Sequence, residues 1–175
     1  MTRVILLYGS IAGAIVTAIM LLSIGSGVHS IVLGYLSMLV ALSMVFAGIK
    51  RYRDEQLGGT IRFWTAIAVG LGISAIASLF YALGWEAYLY ATDYRFMPEY
   101  TAGLIEAQRA AGASAQEIAK MSAEMDAFAK SYENPLIRLL FTLSEIAPVA
   151  LIVTLIAAAL LRKPGFLPAR QIRSR

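Results

Sequence analysis

Long apolar stretches alternate with short polar ones along this chain. The apolar stretches cover residues 4–25, 31–49, 61–92 and 136–161. An α-helix rises 1.5 Å per residue, so about 20 apolar residues cross a hydrocarbon core of about 30 Å. The pattern predicts four transmembrane helices in an all-α integral membrane protein. The third stretch exceeds a perpendicular crossing, and tilt or an interfacial first turn around Arg62 would absorb the excess.

Polar residues mark where these helices should end. Glycines and serines in residues 23–30 predict a tight turn after the first stretch. The charged run that begins at Lys50 predicts the end of the second helix at Ile49. A cleaved signal peptide is the alternative for the first stretch. Signal peptides have apolar regions of only about 7–15 residues, so the length favours a retained helix.

Residues 93–134 differ from the rest of the chain because they hold seven acidic and four basic residues. They predict two soluble helices that form an extracytoplasmic helical hairpin between the third and fourth spans. Pro98 suits the first position of a helix, and Gly112 suits a helix end. Ser114 and Glu117 form a capping-box pattern at the start of the second of these helices.

The second of these helices is amphipathic. Its apolar residues recur at spacings of three and four, and they are Ile118, Met121, Met125, Phe128 and Tyr132. Such a stripe usually faces a core, here the partner helix or the membrane domain. A docking face for another protein is the alternative.

The composition agrees with a lipid environment. Hydrophobic residues make up 59% of the 175 residues and charged residues 15%, against roughly 45–50% and 25% in soluble domains. A globule of this size has too little interior to hide that apolar surface from water. The chain has no cysteine, which excludes disulfide scaffolds, thiolate metal sites and thiol nucleophiles. No cofactor is predicted.

The basic residues predict an orientation. Ten of them fall on one side of the predicted membrane: Arg3, Lys50, Arg51, Arg53, Arg62, Arg162, Lys163, Arg170, Arg173 and Arg175. The positive-inside rule places this side in the cytoplasm, with both termini and the basic tail 162–175. Because the bases cluster at helix ends, the expected partners are membrane lipids and not nucleic acid.

Three segments together carry a resemblance to a known family. They are FAGIKRYRDEQLGGTIRF at 46–63, GWEAYLY at 84–90 and SYENPLIRLLFTLSEIAPVALIVTLIAAALLR at 131–162. They resemble the bacterial membrane family catalogued as domain of unknown function 4199. The likeness extends from the second span to the end of the chain. It implies a small multi-helix protein of the bacterial inner membrane, and it implies no activity and no functional residues.

Ionisable residues within apolar spans are the best pointers to function in a membrane protein. Glu145 lies ten residues after Pro135, roughly 15 Å along the fourth helix and near its midplane. Thr142 and Ser144 would cluster with it where Pro148 cannot donate a backbone hydrogen bond. This cluster predicts either a polar clamp between the third and fourth helices or an ion or proton site.

Two further ionisable residues, Glu86 and Arg138, are candidates for the same clamp or ion site. Glu86 lies near the outer end of the third helix, in an aromatic belt where a carboxylate can reach water. Arg138 is seven residues before Glu145, on the same helix face. We expect it to pair with Glu145 through a water or directly with Glu86. His29 with the two carboxylates would make only a very weak metal site, so no metal is predicted.

Small residues predict close helix packing. Gly9 and Gly13 form a GxxxG pair in the first helix, and Gly70, Ser74 and Ser78 belong to a row of small residues in the third. Such rows let helix backbones approach closely, within one bundle or between protomers. Packing within the bundle is favoured, and a homo-oligomer is the alternative.

Three functions are compatible with these features. The first is a structural, regulatory or partner-binding membrane protein, with lipids or a protein bound to residues 93–134. The second is a proton- or cation-coupled transporter or channel that uses Glu145 and Glu86. The third is a lipid-modifying enzyme. The chain carries no HExxH motif and no phosphate-cradling glycine loop, so an enzyme is disfavoured.

Overall fold

The computed structural model describes residues 1–25 and 31–169, which form six α-helices and no strands. The helices are α1 (Thr2–Gly25), α2 (Ile31–Gln56), α3 (Phe63–Ala91), α4 (Phe96–Ala110), α5 (Ala115–Tyr132) and α6 (Pro135–Leu161). Four of them, namely α1, α2 from Gly34, α3 and α6, are long and apolar enough to cross a membrane. The predicted all-α class is therefore confirmed, and the tail from residue 170 lies outside the described residues.

The end of α2 corrects the predicted boundary at Ile49. The helix continues through the charged run to Gln56. Lys50 pairs with Asp54 and Arg51 with Glu55, so opposite charges four residues apart support the helix. The chain leaves the helix at two glycines in the left-handed region, at φ values of 67° and 94° for residues 58 and 59.

The chain divides into two compact units. The first unit comprises Met1–Gly84 and Leu143–Arg175, and the second unit comprises Trp85–Thr142. The hydrophobic core of the first unit draws on all four of the long apolar helices. Its largest fully buried apolar side chains are Val16, Leu42, Val45, Ile49, Val69, Ile73, Ile146 and Leu161.

The predicted GxxxG pair of α1 lies against α3 of the same chain. A Cβ atom added to Gly9 would be 2.6 Å from the Cβ of Ile76, and one added to Gly13 would be 2.5 Å from the Cβ of Phe80. Real Cβ atoms do not approach so closely, so only glycine permits this spacing of the two backbones. These two glycines therefore serve packing within the chain.

The small-residue row of α3 is buried along its whole length: Ala66, Gly70, Ser74, Ser78 and Ala82. A Cβ added to Gly70 would lie 2.6 Å from the side chain of Thr154 on α6. The Oγ of Ser74 is 3.4 Å from the Oγ1 of Thr154, which makes a polar contact inside the core. The row thus lets α6 approach α3 within the first unit.

Arg53 is a basic residue that the core of the first unit encloses completely, with 0% of its surface exposed. Its guanidinium donates to the carbonyl oxygens of Phe166 at 2.9 Å, Leu161 at 3.4 Å and Leu167, and its Nε donates to Asp54 at 2.6 Å. The carbonyls at a helix C-terminus lack intrahelical donors. Arg53 therefore ties the end of α2 to the end of α6.

The second unit contains α4 and α5, which contact each other, together with the C-terminal turns of α3 and the N-terminal turns of α6. The Ser114–Glu117 capping box is present, and Gly112 follows the C-cap of α4 with φ of 84°, so both predictions are confirmed. The prediction that Pro98 occupies the first position of a helix is wrong, because α4 begins at Phe96 and Pro98 is the third residue of that helix. A proline is tolerated there because the first N–H groups of a helix have no intrahelical acceptor.

Aromatic side chains form the interior of the second unit. The Nε1 of Trp85 donates to the hydroxyl of Tyr132 at 2.7 Å, and the Trp85 ring meets the edge of Phe96 at 4.7 Å. Phe128 contacts Phe141 at a centroid distance of 5.1 Å. The five predicted stripe residues of α5 are all half-buried. The stripe is therefore the more covered side of α5.

Candidate functional site

Arg138 and Glu86 form a bidentate ion pair within the second unit. The Nε and Nη2 atoms of Arg138 donate to the two carboxylate oxygens of Glu86 at 2.7 and 2.9 Å. The side chain of Arg138 is 7% exposed and that of Glu86 is 35% exposed. Nη1 donates to the carbonyls of Tyr132 and Glu133, both at 3.1 Å. The guanidinium thereby joins the end of α3, the end of α5 and the start of α6.

The turn after α3 places an aromatic ring over this guanidinium. Asp93 and Tyr94 both adopt left-handed backbone conformations, with φ values of 50° and 55°. The N–H of Tyr94 donates to the carbonyl of Leu89 at 2.8 Å, which closes the helix end. The ring centroid of Tyr94 lies 5.1 Å from the Arg138 carbon, and that of Tyr132 lies 6.0 Å away. Such contacts stabilise a cation that is withdrawn from water.

A pocket of about 410 Å³ opens beside the ion pair. Its walls are mainly apolar and aromatic, with few polar groups. The lining residues are Leu89, Tyr94, Met97, Pro98, Ala129, Tyr132, Glu133 and Arg138. Small-molecule sites have this size and this balance of surfaces. The pocket lies entirely within the second unit.

Glu145 occupies a different environment, in the first unit. The hydroxyl of Tyr81 donates to its Oε2 at 3.1 Å, and Tyr81 itself is buried. The Glu145 side chain is exposed, as is that of Ser144. The helix remains continuous through Pro148. A carboxyl group therefore reaches the surface of the first unit in the middle of an apolar helix.

The structure separates the predicted polar cluster into two parts. Of the two pairings expected for Arg138, the direct one with Glu86 is present. Thr142 is buried, and its hydroxyl donates to the carbonyl of Arg138 at 2.9 Å, as a side chain bonding its own helix. The described residues contain no cluster of three potential metal ligands. His29 lies outside the described residues.

Sequence reasoning assigned Arg53 to topology alone and missed its buried role. A signal was present in the periodicity of α2. Leu42, Val45 and Ile49 have 0% exposure and are spaced by three and four residues, and Arg53 follows at the next spacing of four. The same reasoning gave no role to the ring of Tyr94, because its position over Arg138 depends on a turn that sequence patterns do not indicate.

Within the described residues, six helices, four of them apolar enough to span a bilayer, and a partly buried ion pair at the helix ends are typical of a multi-helix membrane protein. The sequence matches the family described as "Protein of unknown function (DUF4199)" over residues 7–163, so the chain belongs to that family. A search of curated proteins found no match, and neither did a search of solved structures.

Proposed function

We propose that this chain is a multi-pass protein of the bacterial cytoplasmic membrane with a structural, regulatory or partner-binding role. In this proposal α1, α2, α3 and α6 span the membrane, and both termini lie in the cytoplasm. Helices α4 and α5 form an extracytoplasmic hairpin. The asymmetry of the basic residues supports this orientation, because ten of them fall on the proposed cytoplasmic side.

The observation that carries the structural role is the set of four hydrogen bonds that the Arg138 guanidinium donates. Two of these bonds go to the oxygens of Glu86 and two go to backbone carbonyls. A proton or ion carrier needs a group that can exchange its partner, whereas all three nitrogens of the Arg138 guanidinium already donate hydrogen bonds. We therefore interpret Glu86–Arg138 as a clamp between the helix ends, and we place any partner-binding role in the pocket beside it.

The orientation can be tested with single cysteines because the chain has none of its own. Gly103 on α4 has open space around its Cα, and Leu57 after α2 is exposed. A membrane-impermeant maleimide added to spheroplasts should label Gly103→Cys directly and Leu57→Cys only after permeabilisation. The reverse pattern would exclude the proposed orientation, and labelling of both without permeabilisation would exclude spanning by α3, which lies between the two positions.

A second candidate function rests on Glu145. A carboxylate at the centre of a bilayer costs at least about 2.5–3.5 kcal/mol on insertion scales, so such residues usually serve a pathway or a partner. The exposed Glu145 and its bond from Tyr81 favour a proton or cation site over a buried clamp. In proteoliposomes with an imposed pH gradient, the wild type should then conduct protons or cations and Glu145→Gln should not. Equal flux for the two would end this interpretation.

A further inference from the structure

Three basic residues surround the place where the start of α3 meets the end of α6 in the first unit. Arg62 directly precedes α3, and Arg162 and Lys163 directly follow α6. All three residues are exposed, and none of their side chains forms an ion pair or a hydrogen bond within residues 1–25 and 31–169. Nothing in the described part of the chain therefore neutralises their positive charge.

The basic residues of α2 differ in this respect. Each of them pairs with an acid of the same helix, and the pairs are Lys50–Asp54, Arg53–Asp54 and Arg51–Glu55. The carbonyl of Leu161, the last residue of α6, accepts from Arg53 and not from the side chain of Arg162 or Lys163. Capping of this helix end therefore does not account for the two bases that follow it.

An exposed aromatic side chain lies at the same place. The guanidinium carbon of Arg162 is 5.8 Å from the ring centroid of Phe63, and the Phe63 ring meets the Trp64 ring edge-on at 5.3 Å. Trp64 is 77% exposed. Indole rings favour the headgroup level of a bilayer, because most of the ring is apolar and its N–H needs a polar partner. An unpaired cation thus lies near a ring that suits the membrane interface.

We propose that this basic–aromatic surface, formed by Arg62, Phe63, Trp64, Arg162 and Lys163, binds the headgroup phosphate of an anionic phospholipid. The lipid partner presupposes the membrane-spanning role proposed for α3 and α6. Guanidinium and ammonium groups donate charge-assisted hydrogen bonds to phosphate oxygens, and an anionic headgroup carries no ammonium group to oppose them. A soluble phosphate would satisfy the bases and leave the indole ring in water, whereas a phospholipid covers both.

Fluorescence quenching by brominated lipids tests this surface in reconstituted vesicles. Trp85→Phe removes the other tryptophan, which belongs to the second unit, so the remaining tryptophan emission reports Trp64 alone. Brominated phosphatidylglycerol and brominated phosphatidylcholine are titrated separately into a phosphatidylcholine bilayer. Half-maximal quenching of Trp64 should need a several-fold lower mole fraction of phosphatidylglycerol than of phosphatidylcholine.

Substitutions separate a specific surface from general attraction. Arg162→Gln and Lys163→Gln should each lower the preference for phosphatidylglycerol roughly fivefold, the effect of one basic residue near an anionic membrane surface. Arg51→Gln is the matched control, because it removes the same charge from a residue that pairs with Glu55, and it should leave the preference unchanged. The surface is overturned if all three substitutions lower the preference equally, or if neither Arg162→Gln nor Lys163→Gln lowers it.

The same titration distinguishes a lipid from free phosphate and from failure of the membrane proposal. Inorganic phosphate, exchanged for chloride at constant ionic strength, should leave the quenching by phosphatidylglycerol unchanged. If phosphate abolishes the preference, the surface binds a soluble anion and the lipid proposal is overturned. Equal quenching by the two lipids would refute the surface and leave the membrane-spanning role of α3 intact. Quenching of Trp64 by neither lipid would contradict that role, and the surface with it.

Discussion

Replacement of Arg138 by alanine should destabilise the second unit more than any other single change in its polar groups. The substitution removes two hydrogen bonds to Glu86, two to the carbonyls of Tyr132 and Glu133, and the contact with the ring of Tyr94. It leaves a carboxylate without its partner at the edge of the aromatic interior.

The magnitude follows from burial. Removing one partner of a buried ion pair costs about 3–5 kcal/mol because the remaining charge is left uncompensated. Glu86 is 35% exposed and regains some water, so we expect the lower end, about 3 kcal/mol. Glu86→Gln should cost only about 1 kcal/mol, since Arg138 keeps its two carbonyl acceptors and a neutral side-chain oxygen. The double variant Arg138→Ala/Glu86→Gln should cost no more than Arg138→Ala alone.

The assay uses the fluorescence of Trp85, which donates a hydrogen bond to Tyr132 in the interior of the second unit. The chain has two tryptophans, and the other, Trp64, is 77% exposed. Trp64→Phe therefore gives a single reporter with little disturbance. Unfolding by SDS in mixed micelles would yield the free energy of each variant and the coupling between positions 86 and 138.

Two results would refute this reasoning. If Arg138→Ala unfolds at the same SDS fraction as the parent, the ion pair does not clamp the helix ends. If the costs of Arg138→Ala and Glu86→Gln simply add in the double variant, the two side chains do not act as a pair. Arg138→Lys is a useful intermediate, because it keeps the charge and loses the bidentate geometry.

Three other predictions concern the rest of the chain. Arg53→Met should cost about 3 kcal/mol or more, because it leaves the carbonyls of Leu161, Phe166 and Leu167 without their donor. Arg51→Met removes an exposed pair and should change stability by less than about 1 kcal/mol in the same SDS titration, and equal effects of the two substitutions would contradict this interpretation. The Cβ of Gly13→Ala would lie 2.5 Å from the Cβ of a phenylalanine, so this substitution should lower the free energy of unfolding by about 1–3 kcal/mol. Gly103→Ala adds a Cβ in open space and should be neutral or stabilising. The opposite order of the two thermal midpoints would be inconsistent with the packing of α1. Hydrogen bonds from the N-cap serine lower the pKa of Glu117, so its contribution to capping is complete above the ordinary glutamate pKa and is lost as the pH falls through the lowered value. Amide exchange in the first turn of α5 should therefore differ between the wild type and Glu117→Gln near neutral pH, and the difference should disappear in acid. A difference that persists in acid would argue against a charged cap.

The helices were predictable because their signals are local. Hydrophobic length gave α1, α3 and α6, and the capping box at Ser114 gave the start of α5. The end of α2 was harder to predict, because a charged run can stop a helix or support it. The helix continues because the run contains oppositely charged pairs four residues apart, Lys50 with Asp54 and Arg51 with Glu55.

The candidate site was predictable in its members but not in its pairings. The sequence left two carboxylates, Glu145 and Glu86, as possible partners of Arg138. Which of them pairs depends on the directions of side chains that lie 52 residues apart in the sequence. The exposure of Glu145 depends on which side of α6 the other helices cover, and hydropathy does not specify a side when nearly all positions are apolar. The left-handed conformation of Tyr94 has no sequence signal, since only asparagine, aspartate and glycine adopt it readily.

The burial of Arg53 sets an order of events during synthesis. Its carbonyl acceptor at Leu161 follows it by 108 residues. At about 5–20 residues per second, a ribosome takes on the order of 5–20 s to make that segment. Throughout this interval Asp54 can accept from Nε, but Nη1 and Nη2 have to be satisfied by water or by a headgroup phosphate until the last helix is made. A nascent chain that lacks α6 therefore exposes a cation that the finished protein encloses.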